Sequence, residues 1–176
     1  TVGQDIAAQL AEEMTGILLL ALLVIAAVLL FTSRSYFEVV IFFIVFGVAA
    51  LLNMGTNYLL GEISSITNSV AVILQLALAI DYAIIFSHRY QDECGRGLPE
   101  KEALIEALSK AIVEISSSSL TTVSGLIALT LMQFRLGYDL GIVLCKGIVC
   151  SLLTVFLLMP GLIMLFPRQL ARTVHR

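Results

Sequence analysis

The chain has 176 residues, 59% of them hydrophobic and 13% charged, with a formal net charge of −3; its mean hydropathy is +1.01. A soluble domain is less apolar and about a quarter charged, so the composition excludes an ordinary soluble globular domain and points to the membrane. The arginines are scattered and form no nucleic-acid footprint.

The chain opens at Thr1, with no charged n-region and no cleavage site before its first apolar run. That run therefore reads as a membrane span rather than a signal peptide, and the chain as a piece of a longer protein. Several apolar runs reach the ~20 residues that cross a bilayer. In chain order they are Met14 to Phe31, about Glu38 to Leu60, about Thr67 to Ser87, about Ile115 to Met132, and about Tyr138 to Phe166. Residues 1–13 form a lead-in and 167–176 a tail. The expected fold is all-α: a polytopic bundle of five transmembrane helices.

A polar stretch, 91–114, separates the third and fourth spans. Within it, Pro99 to Ile112 predicts a helix. Pro99 suits the first turn, and Glu100 and Glu102 suit the positive end of the helix dipole. Leu104, Ile105, Leu108, Ala111 and Ile112 share one face. This segment is expected either as a separate amphipathic helix along the membrane surface or as an extension of the fourth span.

The basic residues orient the bundle. Arg34, then His88, Arg89, Arg96, Lys101 and Lys110, then Arg168, Arg172 and Arg176 all fall on one side of a five-span chain. Arg135 falls on the other. The positive-inside rule makes the basic side cytoplasmic.

Asp81 is the most informative residue, a carboxylate inside the third span. Counted at 1.5 Å per residue from either end of its span, it lies near the midplane. An intramembrane carboxylate is expensive and usually functional. It either cycles a proton or sits locked in a structural network. Tyr82 follows it, with a hydroxyl suited to a relay or simply to packing. Lys146 lies inside the fifth span, close enough in depth to pair with Asp81. The alternative is that it snorkels to the outer surface. The run Ser116 to Gly125 offers small hydroxyl residues for close helix packing, or for solvating a path beside Asp81 through Ser119 and Thr122. Asn53 and Asn57 share a face near the outer end of the second span, as interhelical hydrogen-bonding groups or the lining of a wet entry.

Nothing here suggests catalysis. Cys94 lies in a polar loop, and Cys145 and Cys150 lie in an apolar span without CxxC spacing, which argues against zinc and against a disulfide framework. His88 and His175 have no metal-ligand spacing, and no phosphate loop or nucleophile elbow is present. No catalytic residue, cofactor or metal site is expected.

The segment Ala77-Leu78-Ala79-Ile80-Asp81-Tyr82-Ala83-Ile84-Ile85-Phe86-Ser87-His88-Arg89-Tyr90-Gln91-Asp92-Glu93 resembles the fourth transmembrane helix of the MMPL family, a branch of the resistance-nodulation-division (RND) superfamily. Ser119 to Leu126 resembles its fifth helix, Leu157-Leu158-Met159-Pro160-Gly161-Leu162 the end of its sixth, and Asp5 to Glu13 with Leu30 to Ser35 its second. The resemblance implies helices two to six of the first half of a twelve-helix exporter. It also implies further partners: a first helix, extracytoplasmic porter domains, a second transmembrane half, membrane lipids, and lipid or other hydrophobic cargo moved across the plasma membrane by the proton gradient. In that family the Asp-Tyr pair carries proton coupling, a role that passes only to Asp81 and Tyr82. Ala77 and Ala79 replace common glycines, and Lys146 is outside the family pattern. The same unit resembles the sterol-sensing domain, which implies lipid sensing instead, and the SecDF branch, which implies assistance to protein export.

Overall fold

Backbone polar groups have no water to bond in hydrocarbon, so a long apolar run satisfies them internally as a helix. A computed structural model describes residues 2–33, 35–61 and 65–168. They form α1 (Val2–Thr32), α2 (Tyr36–Asn57), α3 (Ser65–Gly95), α4 (Glu100–Thr130) and α5 (Arg135–Leu165), with one 3₁₀ turn at Tyr58–Leu60. All five α-helices are long and apolar enough to span a membrane. Arg34, Arg172, Arg176, His175 and most of the predicted tail lie outside the described residues.

Four of the helices have 31 residues. At 1.5 Å per residue each is ~46 Å long, which exceeds the ~30 Å hydrocarbon core. From Val2 onward the lead-in is helical, continuous with the first span in α1. The amphipathic stretch is not a separate helix. Glu100 to Thr130 is one continuous helix, so the extension reading holds and the membrane-surface reading does not. The reason lies in a stripe of side chains at every fourth position. Ala103, Ala107, Ala111, Ile115 and Ser119 are all buried, and α4 packs against α3 and α5. Small side chains at that spacing let the neighbouring helix close in, and the expected lipid-facing surface becomes a helix contact. Ile105 stays exposed.

The α3–α4 connection is short because Gly97 takes φ +83°, a left-handed conformation cheap only for glycine. Its N–H bonds the Cys94 carbonyl at 3.1 Å, and Pro99 then starts α4, its carbonyl accepting from the Ala103 N–H at 2.8 Å. Beyond the apolar spans, ion pairs staple the two helices. Lys110 Nζ lies 2.5 Å from Glu93 Oε1, and Arg89 bonds Glu114 at 2.7 Å.

α5 packs on α2, α3 and α4, whereas among the described residues α1 touches only α2 and α3. The core joins Leu29 of α1, Ile41, Phe42 and Val45 of α2, Leu76 and Phe86 of α3, Ile115 of α4, and Ile148, Val155 and Met159 of α5. The α4–α5 crossing is close at Gly141, where a Cβ would stand 2.7 Å from Thr130 Cγ2 and 2.9 Å from the Leu126 carbonyl oxygen. Large apolar side chains such as Leu23, Leu51, Leu120 and Leu157 remain on the outside, a surface suited to lipid rather than water.

The Gln91 side chain donates to Glu38 at 3.0 Å, and the Phe37 and Phe166 rings meet edge-on at 5.4 Å. These contacts bring the α1–α2 turn, the end of α3 and the end of α5 together at one end of the bundle. Arg89, Arg96, Lys101, Lys110 and Arg168 share that end.

Candidate functional site

α3 carries Asp81 midway between Thr67 and Gly95, the bounds of the third span. The helix is continuous through this point. Asp81 is exposed, on a stripe of α3 with Leu74, Ala77, His88 and Asp92. Among the described residues it makes no hydrogen bond or ion pair. Tyr82 is rotated ~100° from it, as successive helical residues are. It is only 2% exposed, in the core with Ile80 and Phe86, and its hydroxyl has no partner among the described residues. The two neighbours thus face different surroundings: one leaves the bundle, the other enters it.

The suggested partners of Asp81 do not reach it. Lys146 Nζ donates to the Asn53 carbonyl at 3.0 Å and to Asn57 Oδ1. Asn57 in turn donates to Asn68 at 3.2 Å. Lys146 lies on the α5 face toward α2, where the asparagines present oxygens, while Asp81 points outward from α3. The expected Asp81–Lys146 pair does not form, and Lys146 is instead held between helices by Asn53 and Asn57. Ser119 Oγ and Thr122 Oγ1 donate to the Ser116 and Ser118 carbonyls of their own helix. Ser117, Thr121 and Ser124 also bond back to their own helix. A hydroxyl folded back on its own helix satisfies itself locally, so this run contributes close packing at Ser119 rather than bonds to Asp81.

Asn53 and Asn57 do bond between helices, but the residue that organises Asn53 was missed in the sequence. Gln75 of α3 is 1% exposed. Its Oε1 accepts from Asn53 Nδ2 at 2.7 Å. Its Nε2 faces the Ala49 carbonyl at 3.0 Å, and the Gly147 carbonyl and Ser151 Oγ at 3.4 Å. One amide therefore ties α2, α3 and α5 together. The available signal was a lone amide between Leu74 and Leu76 in an apolar span. Gly147 makes the contact possible, since a Cβ there would approach Asn53 Nδ2 to 3.0 Å.

A second missed residue is Glu38, taken in the sequence only as the start of a span. It is 4% exposed. Ser33 Oγ donates to its Oε2 at 2.7 Å and Gln91 to its Oε1. Among the described residues no three His, Cys, Asp or Glu side chains gather as a metal site, and the three cysteines are free.

The sequence profile of the MMPL family matches residues 1–176. The chain belongs to the MMPL family. ActII-3 of Streptomyces coelicolor is 28% identical over 155 residues, which cover 85% of this chain and 22% of that protein. SCO0839 of the same organism is 27% identical over 170 residues, covering 92% of this chain and 24% of its own length. MJ1562 of Methanocaldococcus jannaschii is 33% identical over 103 residues, covering 58% of this chain and 26% of its own. All three carry names that class them with membrane proteins. The chain spans about a quarter of the length of these relatives. It is a multi-pass MMPL membrane module, and Asp81 and Tyr82 occupy its third helix as set out above.

Proposed function

We propose that this MMPL module is the proton-coupling transmembrane part of an RND-type exporter that moves lipid or other hydrophobic cargo. The observation that carries the proposal is Asp81: a carboxylate midway along a spanning helix, facing out of the bundle, without a partner among the described residues. A bare carboxylate in hydrocarbon is costly. It therefore calls for a second protein surface at this face, and for uptake of a proton whenever that surface does not solvate the charge. Proton uptake changes the charge at the contact, and with it the preferred packing of α3. Tyr82, one residue on, brings a hydroxyl into the adjoining core. The end bearing Arg89, Arg96, Lys101, Lys110 and Arg168 faces the cytoplasm in this reading, and the module sits in the cell membrane.

The test is proton-gradient-driven export by the full-length parent, comparing wild type with Asp81→Asn at matched membrane expression. Asparagine keeps the shape but cannot cycle a proton. Loss of export with normal folding is the expected result. Retained export overturns the coupling role and leaves a lipid-sensing module as the better reading.

A further inference from the structure

At the basic end of the bundle, α2, α3 and α5, with the turns beside them, border an open cavity of about 530 Å³, within the range of small-molecule sites. Its apolar wall is Ile41, Leu98, Met159 and Ile163, and its polar wall includes Glu38, Tyr90, Gln91 and Glu100. Among the described residues that line it there is no Lys or Arg. The cavity shares no residue with the groups proposed for coupling, Asp81 and Tyr82.

Glu38 is the informative member. It is 96% buried by its 4% exposure, yet its described partners are neutral: Ser33 and Gln91. Of the described basic residues at this end, Arg89 is engaged with Glu114 and Lys110 with Glu93. A buried carboxylate is ordinarily matched by a cation or neutralised. Here the side chain is held in place by neutral donors beside an open volume, with a second carboxylate, Glu100, also lining it. An anion would meet two like charges there. A purely apolar ligand would leave Glu38 unmatched.

We infer that this cavity binds an amphiphile with an alkylammonium head, the cation against Glu38 and the chain along Ile41, Met159 and Ile163. The Tyr90 ring adds an aromatic surface of the kind that attracts ammonium groups. The ammonium can belong to a lipid headgroup or to a soluble cationic amphiphile, since both offer the same chemistry to Glu38.

The experiment uses the full-length parent in nanodiscs and titrates decyltrimethylammonium. Binding is read by calorimetry and by protection of Cys94, which lines the cavity, from maleimide, with the site of labelling located by mass spectrometry. Saturable binding with Cys94 protection is expected. Glu38→Gln weakens it by about tenfold or more, the size of one contact to a charged group. Leu98→Trp, a change in the connecting turn that spares the helical core, blocks the mouth and abolishes protection even if Glu38→Gln proves unstable. Asp81→Asn leaves the affinity unchanged, so the result is independent of the coupling proposal. Native mass spectrometry separates the sources. An amine-headed lipid retained by wild type and lost in Leu98→Trp identifies a lipid, whereas an empty site that takes the probe identifies a soluble amphiphile. Equal affinity in wild type and both cavity variants, or unprotected Cys94 at saturation, overturns the inference.

Discussion

Asn53 of α2 donates to Gln75 of α3 across 2.7 Å, and each of these side chains is only 1% exposed. The bond lies beside Gly147 of α5, whose missing side chain leaves room for both amides. A polar knot of this kind holds three helices in one register, because leaving any of its amides unpaired inside the bundle is unfavourable.

Gln75→Leu keeps the bulk but removes the knot. It should lower bundle stability by about 1–2 kcal/mol, the upper range for hydrogen bonds between membrane helices. Reversible unfolding of the purified protein in mixed micelles measures this. A stability equal to wild type would mean that the amide contacts contribute nothing net.

Gly141 and Gly161 offer a matched comparison on α5. A Cβ at Gly141 meets Thr130 and the Leu126 carbonyl, whereas one at Gly161 meets nothing within 4 Å. Gly141→Ala should therefore force α4 and α5 apart and cost about 1–3 kcal/mol, as overpacking does. Gly161→Ala should be close to neutral. The same unfolding assay separates them, and equal effects would show that the α4–α5 crossing has slack.

The Glu93 side chain is 2% exposed and bonded to Lys110, and its Oε2 has no partner among the described residues. Lys110→Met leaves that carboxylate to the longer contact with the exposed Arg96 guanidinium, at 3.5 Å. It should loosen the α3–α4 connection more than the double change Glu93→Gln with Lys110→Met, which removes the charge as well as its partner. Backbone hydrogen exchange over residues 96–112 is the readout. Faster exchange in the double variant than in the single one contradicts the argument.

Tyr82→Phe separates packing from proton transfer. The hydroxyl is buried without a described partner, so its removal should leave stability within about 0.5 kcal/mol of wild type. If Tyr82 takes part in the relay, export by the parent nevertheless falls. An export rate equal to wild type would confine coupling to Asp81.

Much of the architecture was legible in the chain because a bilayer enforces it locally. Each apolar run had to be a helix, and its length set the span. Asp81 stood out because a carboxylate in such a run is rare, and Asn53 and Asn57 because amides at that depth seek neighbours. Gln75 and Glu38 were legible only as exceptions within an apolar run or at its edge, and nothing local said what they bond.

The sequence by itself determined helix number, the position of Asp81 along its helix and the gathering of basic residues at one end, since composition and spacing act along a single helix. Only the tertiary structure decided which way each side chain turns. It sent Asp81 outward and Tyr82 inward, gave Lys146 to Asn57 instead of Asp81, and merged Glu100–Thr130 into one helix against α3. Those outcomes depend on which faces of separate helices meet, and that is settled by packing between segments far apart in the chain.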